Sequence, residues 1–277
     1  MSDNATAYVR AVAPHAVSPV YGPVRSWRVG RSLGIDLLCV NSICSFRCIY
    51  CQLGRINVHT SVRKIYVPTA RVLADLKRSA WAAADIITLS GSGEPTLAAN
   101  LGEVIRAVKD LTGKPVLVLT NSAQLTDAQV RAELCAADKI FCKLDAASDA
   151  VFRRMNRPLA GVTLKTIVAG IKQLRAQYAG YLGIQLMLTP VNARQANEFA
   201  RILTALRPDE VQLNAPTRPV PRAWSPAARG NHSIEDVRGV SLKQLGHATV
   251  AQFAKSLREL TGLKIIMRSS PRRSRCA

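Results

Sequence analysis

The chain has 277 residues, of which 48% are hydrophobic and 5% aromatic, and its 38 Lys and Arg against 18 Asp and Glu give a net charge of +20. A chain of this length can fold into one large α/β domain with short appendages. No apolar run approaches the roughly 20 residues of a membrane span, and the first residues lack the pattern of a secretory signal, so we expect a cytoplasmic protein with no membrane segment.

Strands and helices are predicted to alternate along the chain. Apolar runs predict buried parallel strands at 34–39, 86–90, 116–120, 139–144, 182–188 and 210–214. Helical spacing predicts helices at 69–80, 99–112 and 126–137, and then around 164–174, 199–206 and 250–260. The predicted fold class is therefore α/β, a partial (β/α)6 TIM-like barrel of parallel strands with a short basic C-terminal extension.

Three parts of the chain are expected. A flexible N-terminal segment covers 1–20, the barrel core covers 21–220, and a basic loop, helix and tail at 221–277 pack on or beside the core. The stretch 215–240 is rich in Pro, Arg, Gly and Ser, which predicts an extended loop over one end of the barrel.

The end of the chain is strongly basic. Residues 215–277 contain twelve basic and three acidic residues, and the last of the basic ones are Arg268, Arg272, Arg273 and Arg275. This excess predicts attraction to RNA or to an acidic redox partner. An ordinary solvated tail has the same composition, and the sequence leaves both interpretations open.

Three of the seven cysteines, Cys44, Cys48 and Cys51, stand at the spacing CxxxCxxC. Three thiolates can hold three irons of a cubane cluster and leave the fourth iron without a protein ligand. An open iron can bind a small molecule and pass it an electron, so the spacing favours an enzyme. An iron–sulfur electron carrier or an RNA-binding protein is the alternative from outside enzymology.

Polar residues follow five of the predicted strands. The cysteines follow the first, residues 90–96 (SGSGEPT) the second and residues 120–122 the third, while Lys143 and Asp145 end the fourth and Asn214 ends the sixth. Ligands gather at the carboxyl ends of parallel strands. These segments therefore predict one common site.

The cysteine spacing, with an aromatic residue before the third cysteine and Gly-Glu-Pro after the next strand, resembles the radical S-adenosylmethionine superfamily. The resemblance covers roughly residues 20–220. Within the superfamily, the segments at 21–24, 32–37, 51–54, 91–96 and 214–219 resemble one branch. This branch contains the iron–sulfur oxidoreductases related to wyosine-tRNA synthases.

The resemblance implies that Cys44, Cys48 and Cys51 hold a [4Fe-4S] cluster and that S-adenosylmethionine chelates the open iron. Reduction of the sulfonium then gives methionine and a 5′-deoxyadenosyl radical, which abstracts hydrogen from a substrate. A low-potential electron donor such as flavodoxin or ferredoxin is the implied partner.

The resemblance also gives roles to residues near the cluster. Gly93 would let the backbone approach the cofactor and Glu94 would accept from its ammonium group, unless the two form a plain Gly-Pro turn with an exposed Glu. Tyr50 would lie near the adenine, or simply pack in the core. Asn121 would contact the ribose or the methionine carboxylate, or it tolerates a left-handed turn.

The remaining candidates concern charge and substrate. Lys143 and Asp145 would bracket the cofactor's charges or pair with each other. The substrate half of the barrel is expected to present Gln185, Asn214 and Arg218, where Arg218 holds an anionic group or is one more surface arginine. Cys39 is expected to be a small buried residue that ends the first strand.

The substrate stays open between two classes. One class contains small molecules, peptides and cofactor precursors, and the other contains tRNA bases. Wyosine synthases carry a further cysteine set, and nothing before Cys39 supplies one here. That difference favours the first class and leaves tRNA modification as the alternative.

Overall fold

The computed structural model describes residues 17–224, 226–229 and 239–267. Most of the predicted N-terminal segment at 1–20, part of the predicted loop at 215–240 and the arginines from 268 onwards therefore lie outside the described residues.

The described residues form strands and helices in the following order. The strands are Val20–Ser26 (β1), Gly30–Ile35 (β2), Ile43–Cys44 (β3), Val58–His59 (β4), Ile86–Leu89 (β5), Val116–Thr120 (β6), Lys139–Lys143 (β7), Tyr181–Met187 (β8), Glu210–Asn214 (β9), Val220–Pro221 (β10), Gly239–Val240 (β11) and Ile265–Met267 (β12). The α-helices are Thr69–Lys77 (α1), Leu101–Thr112 (α2), Ala128–Leu134 (α3), Asp149–Asn156 (α4), Leu164–Gln177 (α5), Ala196–Leu206 (α6) and His247–Thr261 (α7). None of these helices has both the length and the apolar character that crossing a bilayer demands.

Eight of the strands form one sheet in the order β1-β2-β5-β6-β7-β8-β9-β12. Every neighbouring pair from β2 to β12 is parallel, and only β1 runs antiparallel to its neighbour β2. The predicted α/β class with six successive parallel strands is therefore confirmed. The two edge strands β1 and β12 extend the array beyond the prediction.

The sheet curls into a half-barrel. Arg28, in the turn between β1 and β2, donates from Nη1 to Oδ1 of Asn214 at the end of β9, 3.0 Å away. Four strands lie between β2 and β9 in the sheet order, so this contact requires the two ends of the array to approach each other.

The two faces of the sheet differ in polarity because successive side chains of a strand point to opposite sides. Ile184 in β8 and Val211 in β9 are buried in the main core, which also contains residues of the helices. Gln185 and Gln212 point the other way, and Nε2 of Gln185 donates to Oε1 of Gln212 at 3.0 Å. The concave side of the half-barrel is therefore lined in part by polar groups.

The predicted first strand at 34–39 was wrong in its bounds. The strand ends at Ile35 and a turn follows at residues 37–40, next to which the Asp36 carboxylate accepts from the backbone N–H of Leu38 at 2.9 Å. Leu37, Leu38 and Cys39 are buried without being part of the sheet. The apolar run correctly predicts that these residues are buried, but it does not show where the hydrogen bonds between the strands end.

Candidate functional site

The cysteine loop, residues 43–54, is anchored on both sides by backbone hydrogen bonds. On one side the Ile43 N–H donates to the Ser92 carbonyl at 2.8 Å, and the Glu94 N–H donates to the Ile43 carbonyl at 3.0 Å. On the other side the N–H groups of the loop bond the end of α4, where Ile49 donates to the Met155 carbonyl at 2.9 Å. The loop is therefore held by hydrogen bonds to two segments, the one that follows β5 and helix α4, which follows β7.

Gly93 allows the cysteine loop to pack closely against residues 90–96. Its φ is +156°, and a Cβ atom at this position would lie 1.6 Å from the carbonyl oxygen of Ile43. No side chain fits in that space, so the contact between the loop and residues 90–96 depends on glycine. The expected approach of the cofactor to Gly93 stays a prediction.

The three thiols of the loop influence one another. Burial raises the pKa of Cys44 well above its usual value, and the nearby charges of Glu94, Cys48 and Cys51 act in the same direction. Burial and the charge of Cys48 raise the pKa of Cys51 to about 12. A bound metal ion deprotonates coordinating thiols outright, so these residues suit a positively charged cluster that all three would bind.

Hydrogen-bond donors point at the sulfur atoms. Nδ2 of Asn121 lies 3.5 Å from Sγ of Cys44, and Nδ2 of Asn156 lies 3.4 Å from Sγ of Cys48. Donors of this kind stabilise thiolate ligands and tune the potential of an iron–sulfur cluster. The chemistry of the donor set therefore fits a cluster at this loop.

A single metal ion is a poorer match for the loop. Over the ranges that the structure describes, no three His, Cys, Asp or Glu side chains converge on a position for one ion. The cysteines of a cubane each bind a different iron, so a convergence of that kind is not expected for a cluster.

Glu94 is buried, with 2% of its surface exposed, so the alternative of a turn with an exposed glutamate is wrong. Its Oε1 accepts from Thr120 Oγ1 at 2.7 Å and from the N–H and hydroxyl of Thr96, while Oε2 accepts from the Asn121 N–H at 2.6 Å. Burial raises the pKa of Glu94, and these donors oppose that shift. Since a carboxylate oxygen accepts two bonds, Oε2 retains capacity for a further donor.

Asn121 joins the strand end to the cysteine loop. Besides Cys44, its Nδ2 contacts Oγ of Ser45 at 2.9 Å, and its Oδ1 accepts from the Ala123 N–H at 2.9 Å. The residue in the left-handed region is the next one, Ser122, with φ of +70°. The alternative of Asn121 as the left-handed residue of a turn is therefore wrong.

A second buried network lies beside Cys48. The Tyr50 hydroxyl donates to Oδ2 of Asp145, and Nδ2 of Asn156 donates to the same oxygen at 2.9 Å. Nζ of Lys143 lies 3.6 Å from Oδ1 of Asp145 and 5.0 Å from the centre of the Tyr50 ring. Lys143 and Asp145 therefore pair with each other, which was one of the two interpretations in the sequence analysis. The pair lies next to the cysteine loop.

Asn156 was missed by the sequence analysis. It is the last residue of α4, a helix of eight residues that the periodicity did not indicate. Its Oδ1 is buried without a hydrogen-bond partner among the described residues. A short polar helix gives no apolar pattern from which this position could have been found.

The predicted substrate residues border a cavity of about 220 Å³ on the concave side of the sheet. Gln185 and Arg218 line it, and Asn214 contacts its lining residue Arg28. The cavity also reaches the cysteine loop at Gln52 and the segment 90–96 at Ser90 and Gly91. Arg28 was not among the predicted residues, because an arginine in a hairpin turn resembles any surface arginine.

Cys39 lies outside this site. Its thiol is buried in the turn after β2, where it donates to the Val17 carbonyl at 3.8 Å. Its predicted role as a small buried residue agrees with this position, although it lies in a turn.

Comparison with known proteins identifies the family. Residues 38–203, which include the cysteine loop and the segment 90–96, match the family model described as the Radical SAM superfamily. The chain belongs to the radical SAM superfamily. It is also 46% identical over 250 residues to a UPF0026 protein of Synechocystis sp., an alignment that covers 89% of this chain and 94% of the relative.

More distant relatives are matched over part of their length. A UPF0026 protein of Methanocaldococcus jannaschii is 31% identical over 206 residues, which cover 72% of this chain and 64% of that relative. Among solved structures, one of TYW1 with a lysine-pyruvate adduct bound has a TM-score of 0.62 at 18% identity and covers 86% of this chain and 76% of that one. That likeness shows the shared fold.

Membership of the superfamily settles the class of enzyme and its cofactors. The chain is a radical SAM enzyme, and enzymes of this class bind a [4Fe-4S] cluster and S-adenosylmethionine. The predicted superfamily, enzyme class and cofactors are confirmed.

Proposed function

We propose that this radical SAM enzyme abstracts a hydrogen atom from a small molecule, a cofactor precursor or a single side chain of a peptide. The observation that carries the proposal is the cavity of about 220 Å³ that adjoins the cysteine loop. When bound, the cluster and S-adenosylmethionine supply a one-electron reduction of the sulfonium to methionine and a 5′-deoxyadenosyl radical, which takes hydrogen from a substrate C–H bond.

The protein's own residues hold and orient these groups. Cys44, Cys48 and Cys51 would bind three irons, and the amides of Asn121 and Asn156 stabilise the sulfur ligands. The free capacity of Glu94 Oε2 suits the ammonium group of S-adenosylmethionine, as a charge-assisted hydrogen bond.

The network on the opposite side of the loop suits the rest of the cofactor. The buried Tyr50 and Asp145 and the half-buried Lys143 form a set next to Cys48 that combines an aromatic face with both signs of charge. We assign this set to positioning S-adenosylmethionine.

The wall of the cavity carries side chains suited to orienting a substrate. Gln185 and Gln212 form a hydrogen-bonded pair on its wall and offer polar groups for orienting a substrate. Hydrogen abstraction requires such fixed orientation because the reacting carbon must lie next to the radical.

The reductant is proposed to dock beside Cys48. The exposed arginines Arg47, Arg55 and Arg157 line a shallow pocket at Cys48 on the surface of the cysteine loop. A basic surface next to the cluster favours an acidic electron donor such as flavodoxin or ferredoxin, since opposite charges accelerate association.

Modification of tRNA is the second candidate, favoured by the net charge of +20. If tRNA is the substrate, log affinity should fall steeply with log salt because bound phosphates release counterions. A titration of tRNA at several salt concentrations with a slope near zero would exclude this candidate.

Anaerobic reconstitution followed by a cleavage assay tests the main proposal. We expect about four irons per chain and formation of 5′-deoxyadenosine when S-adenosylmethionine and a low-potential reductant are added. Cys48→Ala should lose both the cluster and the product. If the reconstituted protein holds its cluster and yields no 5′-deoxyadenosine under these conditions, the proposal is wrong.

A further inference from the structure

A network of three hydrogen-bonded side chains crosses the concave face of the half-barrel. Oε1 of Glu210 accepts from Nε2 of Gln212 at 2.6 Å, and Oε1 of Gln212 accepts from Nε2 of Gln185 at 3.0 Å. The sheet brings the three together, because Gln185 of β8 lies opposite Gln212 of β9 and Glu210 is on the same face of β9. Gln185 and Gln212 both line the cavity of about 220 Å³. The network therefore leads from Glu210 to the cavity.

Glu210 sets the direction of this network because it is ionised. Its Oε2 accepts from the Tyr181 hydroxyl at 2.6 Å and from Nζ of Lys264 at 3.0 Å. Burial acts to raise the pKa of Glu210, but the hydrogen bonds that its carboxylate accepts, the one from Tyr181 first, outweigh burial and lower the pKa. A carboxylate can only accept hydrogen bonds, so Gln212 must face Glu210 with its NH2 group.

This orientation passes from one amide to the next. The carbonyl oxygen of Gln212 faces Gln185, so Gln185 must turn its own NH2 group away from the cavity toward Gln212. Lys143, which lies opposite Gln185 in β7, directs its Nζ to Oδ1 of Asp145, 3.6 Å away. Oε1 of Gln185 has no donor among the described residues, and it does not belong to the polar atoms that are sealed from solvent without a partner. It is therefore an acceptor that is open to the cavity.

Part of the cavity wall near this acceptor is apolar. Phe141 of β7 and Leu117 and Leu119 of β6 line the same cavity. The ring of Phe141 lies over Gly183, where a Cβ atom would be 1.9 Å from Cε1 of the ring. Gly183 and Gln185 are on the same face of β8. The acceptor oxygen and an aromatic surface therefore meet in one part of the cavity.

We propose that Gln185 recognises an N–H or O–H group of the substrate, and that Glu210 and Gln212 are positioning residues that hold its carbonyl oxygen toward the cavity. The substrate class is a small molecule that carries such a donor on an apolar body. An acceptor that cannot turn into a donor selects against acceptor groups, because two facing acceptors are both left unpaired. The inference rests on the proposed function, since the same cavity reaches the cysteine loop at Gln52.

Phenol and anisole are a matched pair of probes for this site, because both have an aromatic body and anisole lacks the hydroxyl donor. NMR titration of the reconstituted protein measures the dissociation constant of each probe. We expect phenol to bind roughly threefold to tenfold more tightly than anisole, which is the ratio given by one hydrogen bond between neutral groups. Gln185→Met keeps the length of the side chain, loses the carbonyl oxygen and should remove the preference for phenol. The exposed Gln252→Met is its control.

Glu210→Gln tests the positioning role of the carboxylate. The new amide can donate as well as accept, so the amides of Gln212 and Gln185 are no longer held in one orientation and the preference for phenol should fall. A purely structural role would weaken both probes equally and leave their ratio unchanged. Glu259→Gln is the matched control, because it removes a carboxylate 3.7 Å from Lys255 on the exposed face of α7 and should not change the ratio.

The outcomes are decisive in both directions. Equal affinity of the wild-type protein for the two probes, or a preference for phenol that survives Gln185→Met, would overturn the inference. Failure of the wild-type protein to bind phenol would overturn it as well. An unchanged ratio in Glu210→Gln would overturn the positioning role. Thermal unfolding of each variant without probe shows whether it is folded, and Gln212→Met, which interrupts the network at its middle, is the second test if Glu210→Gln is not.

The cleavage assay on the same wild-type preparation separates this inference from the proposed function. If 5′-deoxyadenosine forms and phenol is not preferred, only the recognition by Gln185 is wrong. If phenol is preferred in the expected pattern and no 5′-deoxyadenosine forms, the recognition site stands and the proposed function fails.

Discussion

At the scale of single residues, buried polar side chains connect the cysteine loop to the ends of the strands. The Asn121 N–H donates to the Glu94 carboxylate, and the Asn121 side-chain amide reaches Ser45 and Cys44. The Asn156 side-chain amide donates to the Asp145 carboxylate and lies beside Sγ of Cys48. Because these groups are buried and paired, removal of one leaves its partners unsatisfied.

Glu94→Gln should affect both the fold and the cofactor. The amide replaces one acceptor oxygen by a donor that faces other donors, so we expect the free energy of unfolding to fall by about 2 kcal/mol. Affinity for S-adenosylmethionine should fall by roughly tenfold to a hundredfold, since a charge-assisted bond to the ammonium is lost. Equilibrium binding and urea unfolding measure the two effects, with the exposed Glu103→Gln as control. Unchanged cofactor affinity would remove Glu94 from the binding site.

Asn156→Leu should alter the cluster without abolishing it. The variant loses the donor to Sγ of Cys48 and leaves the negative charge of the sulfur less stabilised. We expect the reduction potential of the cluster to become more negative by an amount on the order of tens of millivolts. Potentiometry followed by electron paramagnetic resonance measures the shift, and the exposed Asn197→Ala should show none. The same potential in both variants would contradict this role.

Sequence patterns identified some of these residues and missed others for a physical reason. The cysteines, Glu94 and Asn121 follow strongly apolar strands, and the carboxyl ends of parallel strands meet at one edge. Asn156 and Arg28 come from a short helix and a turn, which carry no periodic signal. Their roles arise from distances across the fold, 3.4 Å to Cys48 and 3.0 Å to Asn214.

At the scale of secondary structure, contacts with two neighbouring segments hold the cysteine loop in place. The backbone of Ile43 pairs with residues 92–94, and the end of α4 accepts from the N–H groups of Arg47 and Ile49. The loop therefore has little freedom to move away from the strand ends, and we expect binding of the cluster to depend on both contacts.

Gly93→Ala should break the first of these contacts. The added Cβ would lie 1.6 Å from the Ile43 carbonyl oxygen, so the loop must shift. We expect the variant to take up much less iron on reconstitution, as measured by iron and sulfide content. Gly246→Ala is the matched control, because a Cβ there has no heavy atom within 4 Å. Full iron content in Gly93→Ala would show that the loop tolerates the displacement.

The C-terminal helix stabilises the sheet that carries the site. Phe253 of α7 packs edge to face on Phe199 of α6, with 6.1 Å between ring centres, and β12 then pairs with β9. Phe253→Ala should lower the free energy of unfolding by about 3 kcal/mol, because it removes a buried aromatic side chain. Urea unfolding of the full chain measures this, and Leu260→Ala on the exposed face of the same helix should change it by less than about 0.5 kcal/mol. If the two substitutions lowered the free energy of unfolding equally, α7 would not be part of the cooperatively folded core.

The elements were predictable where the apolar pattern was strong. Strands β5 to β9 were found within a residue or two, since both faces of a parallel sheet are largely covered. Strand β1 was missed because its side chains are mostly exposed or half-buried, and β12 because it has only three residues. The strand predicted at 34–39 extends past the observed end of β2, because the apolar residues Leu37 and Leu38 are buried in a turn.

The whole molecule combines a curled sheet with a strong positive charge. The curl brings Arg28 to Asn214 beside a cavity lined by three arginines, and the arginines on the outside of the cysteine loop add a basic surface at Cys48. Part of the net charge of +20 is therefore concentrated at Cys48, where we propose that an acidic reductant docks.

Electron–nuclear double resonance of the reduced holoprotein tests the open iron most directly. The measurement uses S-adenosylmethionine labelled with ¹⁵N in its amino group and ¹⁷O in its carboxylate. Coupling of both labels to the cluster is expected, because three cysteines leave one iron for the cofactor. Absence of coupling with the cofactor bound, or a fourth protein side chain on that iron in the reduced state, would contradict a radical SAM mechanism at Cys44, Cys48 and Cys51.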